Sequence, residues 1–186
     1  VTKVEEIDKF LSEAEENGEI AIDTETSSLD AHQAKLIGIS LSTKIGKACY
    51  IPIGHKTGIN LDEKTVVQKI KPILEDQSIK KIGQNIKFDF IILNNRGINM
   101  NAMEDTMLMS YVLDAGINRH NMDTLSEIHL GHKTISFKDI VGSGKKQINF
   151  SEVEIDKAKN YAAEDADITY RLYPVSYTHL RAHETR

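Results

Sequence analysis

The chain carries a single cysteine, Cys49, and no tryptophan. One thiol cannot close a disulfide or supply the paired cysteines of a structural zinc site. The five histidines before residue 174 show no zinc-ligand spacing. No apolar run approaches the roughly 20 residues of a membrane helix, and no signal-peptide pattern opens the chain, so no membrane association and a cytoplasmic location are expected. Positive charge is also short: the formal net charge is −5. That argues against a protein that coats nucleic acid through a basic face. It does not argue against an enzyme that cuts phosphodiesters with metal ions, because clustered carboxylates hold the ions and the ions supply the positive charge.

What remains is ordinary globular composition, 40% hydrophobic and 27% charged over 186 residues. That length suits one domain with a full core. The last thirteen residues, PVSYTHLRAHETR, share no pattern with the rest. They resemble the translation of a transposase-type sequencing adapter, in which GTC TCT TAT ACA CAT encodes Val-Ser-Tyr-Thr-His. Residues 1–173 are therefore expected to form the domain, cut short at its C-terminal end, and residues 174–186 to be foreign to it.

Apolar residues at Val4, Ile7, Phe10, Leu11 and Ala14 keep a helical period up to Asn17-Gly18. Strands are expected at Glu19–Thr26, Leu36–Ser42 and Ala48–Ile53, the last two joined by a turn over Lys44–Lys47, giving an antiparallel meander. Asp62 caps a helix to about Leu74. Lys80–Gln84 reads as a short buried strand and Ile86–Asn94 as a helix. Further helices are expected at Asp105–Leu113, Asp123–Leu130 and Glu152–Leu172, with Lys133–Asn149 a connection. The fold class is mixed α/β.

Three sets of residues stand out. In the strand, Asp23 and Glu25 are two apart and place two carboxylates on one face. Like charges so close favour a hard cation with oxygen ligands, although Asp-x-Glu alone fits a solvated edge strand equally well. Asn85 and Asp89 are four apart at a helix start, and Asp89 sits among Phe88, Phe90, Ile91 and Ile92. Asn85 alone would suit an N-cap. Tyr161 and Asp165 are again four apart, flanked by alanines that permit close packing. Asp167 lies about 200° round the helix from Asp165 and should not serve the same site.

The ordered set Asp-x-Glu, Asn-x-x-x-Asp, Tyr-x-x-x-Asp resembles the three motifs of the DnaQ-like, or DEDD, exonuclease superfamily, and the tyrosine marks its DEDDy branch. The stretches DTETSSLD, IGQNIKFD, MDTLSE, HKTISF, GKKQINF and YAAEDADITY narrow the resemblance to the proofreading domain of bacterial DNA polymerase I, from about Glu19 to Tyr173. The resemblance implies a ribonuclease H-like mixed sheet, the antiparallel meander plus parallel strands, flanked by helices. It implies two divalent cations, Mg2+ or Mn2+: Asp23 bridging them, Glu25 and Asp165 completing one site, Asp89 holding the other. One ion would activate a water while the other stabilises the leaving 3′ oxygen, and Tyr161 would orient that water. Substrate contacts carry over to Thr24, Leu29, Asn85, Phe88, Arg119 and Phe137, with a phenylalanine at 88 where some relatives have tyrosine. The implied substrate is a single-stranded or frayed DNA 3′ end, the product a nucleoside 5′-monophosphate, and the partner a polymerase domain of the same full-length chain.

Alternatives stay open on the acids alone. A ribonuclease D-like nuclease trimming RNA 3′ ends would carry the same carboxylates. An inactive spacer domain would have lost some of them. Leu29 and Phe137 could be core residues, and Arg119 part of a solvated loop. Gly142 to Lys146 glances at a phosphate-binding loop but fails, with Asp139 at the first glycine position and Lys146 where Ser or Thr is needed.

Overall fold

The computed structural model describes residues 1–184; Thr185 and Arg186, the end of the adapter-like segment, lie outside the described residues. A 3-10 turn at Val4–Ile7 leads into α1 (Asp8–Asn17), which Gly18 ends in the left-handed conformation. Three strands follow, β1 (Glu19–Thr26), β2 (Leu36–Lys44) and β3 (Lys47–Pro52). Next come α2 (Glu63–Glu75), β4 (Lys80–Gly83), α3 (Ile86–Asn94), β5 (Met103–Asp105) and α4 (Thr106–Asp114). Three helices complete the chain, α5 (Met122–Leu130), α6 (Phe137–Val141) and α7 (Ile155–Glu184). The strands form one mixed sheet in the order β3-β2-β1-β4-β5. β1, β2 and β3 pair antiparallel, whereas β1–β4 and β4–β5 pair parallel.

Both faces of the sheet are covered, so β1 and β2 are apolar or small along most of their length. Ile20 and Ile22 of β1 join Ile39 and Leu41 of β2 in the larger core, packed against Ile7 and Leu11 and against Val66, Ile70 and Leu74 of α2. On the other face Ala21 and Ile82 meet Met109 and Tyr173. There α7 lies directly on β1, β2 and β3. Ala158, Ala162 and Ala166, spaced four apart and fully buried, remove the side-chain bulk that would hold the helix off the sheet. Buried Lys81 is satisfied by the carbonyls of Ile73, Asp76 and Ile79 at the end of α2. Burial lowers its pKa to about 8. Among the described residues no helix is long and apolar enough to cross a membrane.

The expected strands and helices form within a few residues of their expected ends, but three features differ. Three-residue β5 and five-residue α6 are too short to show a period. The last helix does not end near Leu172 but runs across Pro174 to Glu184. Proline lacks the N–H that would reach the Tyr170 carbonyl, yet the packing of Leu172 and Tyr173 carries the helix through.

Candidate active site

β1 and α7 build the site between them. Ala21, Asp23 and Glu25 alternate onto the face of β1 that α7 covers, and Asp165 lies three residues past buried Ala162 on the packed side of that helix. Carboxylate oxygens of Asp23, Glu25 and Asp165 all lie within 4.8 Å of one another. Tyr161, one turn earlier on the same helix, lines the same cavity as Asp165. Asp167 points elsewhere: it accepts from the Gly46 N–H at 2.6 Å and pairs with Arg171.

Asp89 arrives from the other side. β4 pairs with β1 only over Glu19–Ala21, so the outer half of β1 has no strand neighbour on that edge. The Asp89 carboxylate takes the missing strand's place. Its Oδ1 accepts the Thr24 backbone N–H at 2.9 Å and the Thr24 hydroxyl at 2.6 Å. Asp89 is thereby held within electrostatic reach of Asp23 and Glu25.

Four acids in one buried place oppose each other's ionisation. Burial raises the Asp23 carboxyl to about 6. Glu25 is pushed well above its ordinary value by burial and then by the charges of Asp23, Asp165 and Asp89. Asp89 and Asp165 move the same way, burial first and Asp23 second. Burial and the same carboxylates raise the Tyr161 phenol, which leaves it a hydrogen-bond donor and no base. A cluster of hard oxygen donors that must either hold protons or find positive charge fits divalent cations.

Asp23, Glu25 and Asp165 open onto a cavity of about 450 Å³, whose lining does not include Asp89. Thr24, Leu29 and Phe88 line it, as do Phe137, Tyr161 and the segment Gln147–Phe150. Leu29, 96% exposed, and Phe137, 43% exposed, are not core residues. The Phe137 ring stacks on Phe150 at 6.2 Å and tilts against Tyr161 at 5.9 Å. Asn85 and Arg119, both exposed, do not line the cavity. Asn85 occupies the N-cap of α3, but in the left-handed conformation (φ 61°) with no capping bond from its side chain, so it does not share the buried face of Asp89. Asp105 caps α3 in its place, accepting the Asn85 and Ile86 N–H groups at 3.0 and 3.1 Å. Sequence reasoning missed this and the Gln147–Asn149 wall, which Asn149 fastens to the Ser27 carbonyl. Only the capping signal of Asp105 before an apolar helix was visible locally, and it pointed to α4 alone. A second groove of about 530 Å³ borders α7 at Glu164, Asp167 and Arg171 and contains none of the four acids.

A family model described as a 3′-5′ exonuclease matches residues 1–175. DNA polymerase I of Rhizobium leguminosarum is 43% identical over 197 residues, covering 95% of this chain and 19% of the relative. DNA polymerase I of Pseudomonas aeruginosa is 44% identical over 181 residues, covering 94% and 20%. The chain thus spans about a fifth of the length of these curated relatives. Among solved structures, Brucella melitensis NrnC with bound Mg2+ aligns with a TM-score of 0.68 and 25% identity, covering 90% of this chain and 75% of that one. Escherichia coli RNase D aligns with a TM-score of 0.69 and 18% identity, covering 94% and 44%, which places the sheet and its helices in the ribonuclease H-like exonuclease fold. With the family model matched along nearly its whole described length and polymerase relatives above 40% identity, the chain belongs to the 3′-5′ exonuclease family whose domain is found within DNA polymerase I.

Proposed function

We propose that this exonuclease domain uses two divalent cations, Mg2+ or Mn2+, to remove nucleoside 5′-monophosphates from single-stranded or frayed DNA 3′ ends, as the proofreading module of a DNA polymerase I. The observation that carries the reading is the convergence of Asp23, Glu25 and Asp165, with Asp89 alongside. Four ionised carboxylates are neutralised by two divalent charges, which suits Asp23, Glu25 and Asp165 at one ion and Asp89 with Asp23 at the other. Bound there, the cations would supply charge neutralisation and Lewis acidity for phosphodiester hydrolysis. The Tyr161 hydroxyl, in the cavity lining with Asp165, would orient the attacking water. Phe137 and Phe88 offer ring faces and Leu29 an exposed aliphatic wedge to the terminal nucleotides. Asn85 and Arg119, exposed and outside the cavity lining, suit contacts to substrate further out. A frayed end costs least to open at a mismatch, by a few kcal/mol, which would make this chemistry select errors.

DNA is favoured over RNA because the relatives above 40% identity are DNA polymerases; the likeness to RNase D is one of fold. The remainder of such a chain would supply the polymerase domain as partner, in the cytoplasm. The test is digestion of end-labelled single-stranded DNA and RNA of equal sequence in magnesium, by the chain and its Asp89→Ala variant. The reading expects stepwise shortening of DNA from the 3′ end and loss of about 100-fold or more in the variant. Equal rates for chain and variant would remove the two-ion assignment, and faster RNA digestion would make this an RNA-trimming enzyme.

A further inference from the structure

Asp105 joins two helices through one buried carboxylate. Its Oδ1 accepts the Met107 and Leu108 N–H groups at 2.9 and 3.3 Å, which caps α4. The same oxygen accepts the Asn85 N–H, and Oδ2 accepts the Ile86 N–H, which caps α3. Neighbouring Thr106 donates to the Gly83 carbonyl at 3.1 Å and to the Gln84 side-chain oxygen at 2.5 Å. Gln84 in turn donates to the His120 carbonyl at 2.8 Å. Every residue of the turn from β4 into α3 is thus held from the start of α4.

The turn needs holding. Asn85 sits at φ 61°, a region that non-glycine residues enter at some cost. It sets where α3 begins and, one turn on, where Asp89 stands. Asp89 must reach the unpaired edge of β1 to accept from Thr24 while facing Asp23. A small rotation of the α3 N-terminus would withdraw it. We propose that Asp105 is a positioning residue for Asp89: by clamping the first turn of α3 to that of α4, it fixes the carboxylate assigned to the second cation. The inference rests on the two-cation reading and adds a residue that touches neither ion nor substrate.

Two variants separate positioning from mere stability. Asp105→Ser retains a good cap for α4, but its hydroxyl is too short to reach the Asn85 and Ile86 amides as well. Asp105→Asn keeps one acceptor oxygen and turns an N–H donor toward an amide donor. Manganese binding to the 186-residue chain, followed by the electron paramagnetic resonance of free Mn2+, is compared for wild type, both variants and Asp89→Ala, each shown folded at the assay temperature by circular dichroism. Weakening of one manganese site by about 10- to 100-fold is expected in Asp105→Ser, Asp105→Asn and Asp89→Ala alike. The manganese concentration for half-maximal nuclease activity should rise in parallel, with the saturating rate largely recovered in the two Asp105 variants. Wild-type manganese binding in a folded Asp105 variant, with Asp89→Ala weakened, would overturn the positioning role alone. Wild-type binding in Asp89→Ala would overturn the two-cation reading beneath it.

Discussion

The hydroxyl and the backbone N–H of Thr24 both donate to one oxygen of Asp89, 65 residues along the chain. The residue between the two β1 carboxylates therefore aims the acid that comes from α3. Thr24→Val keeps the shape and the backbone bond and removes the 2.6 Å hydroxyl bond. Net stability should change by only about 1 kcal/mol. Activity in magnesium should fall more than that, by about tenfold or more, because on the proposed two-cation reading the bond orients a metal ligand. A thermal melt and a rate measurement on the same preparation check it; a loss confined to melting temperature would contradict the aiming role.

The raised acids make stability depend on metal and pH together. Asp23 moves from 3.8 to about 6, and Glu25, Asp89 and Asp165 are also raised well above their ordinary values. An unfolded chain ionises these groups at their ordinary values, so it loses their protons first as pH rises. In the metal-free chain, the stability tied to the protonated cluster is complete below about pH 4 and is lost as pH climbs through about 6 and beyond. Divalent cations replace those protons and bind better once the acids ionise. Magnesium should therefore raise the melting temperature of a chelator-treated sample more at about pH 8 than at about pH 5. Equal shifts at both pH values would show that the four acids do not bind cations as a cluster.

Much of this was legible along the chain because it rests on short periods. β1 and α3 form where alternation and helical spacing place them, and the three motifs pick out four acids and Tyr161. What spacing cannot show is a bond between residues far apart. The Asp105 clamp on Asn85 spans 20 residues, and the Asn149 bond to the Ser27 carbonyl spans 122. Neither has a local signature beyond a polar residue before a helix. The last helix differs for another reason: its expected end near Leu172 falls before the segment from Pro174 that shares no pattern with the rest, and the tertiary contacts of Leu172 and Tyr173 carry it on.

Behind the acids, Gly38 leaves room for Tyr50. A Cβ at position 38 would stand 2.1 Å from the Tyr50 hydroxyl. That hydroxyl meets His55 Nε2 at 2.7 Å, while His55 Nδ1 lies 3.0 Å from the Val153 carbonyl. A carbonyl can only accept, so Nδ1 carries the proton and Nε2 accepts from Tyr50. The ring is buried and packed edge-on against His55 at 5.7 Å, so it cannot swing aside. Gly38→Ala should cost about 1–3 kcal/mol. At about 2–4 °C per kcal/mol this is visible in a melting curve. An unchanged curve would mean that the Tyr50–His55 pair shifts freely.

Phe137 gives the most direct separation of substrate binding from metal chemistry. Its ring is braced by Phe150, nearly parallel at 4°, and lines the cavity. Such a braced ring loses little freedom when a base stacks on it. Each base stacked on an aromatic side chain is worth about 1–3 kcal/mol. Phe137→Ala should therefore raise KM for single-stranded DNA by roughly 5- to 150-fold, the equivalent of that energy. Manganese binding should stay at its wild-type value, since none of the four carboxylates is bonded to the ring. Phe137→Tyr should restore KM, because only the ring face is used. If Phe137→Ala weakens manganese binding as strongly as it raises KM, the ring holds the acids together and the stacking assignment is lost.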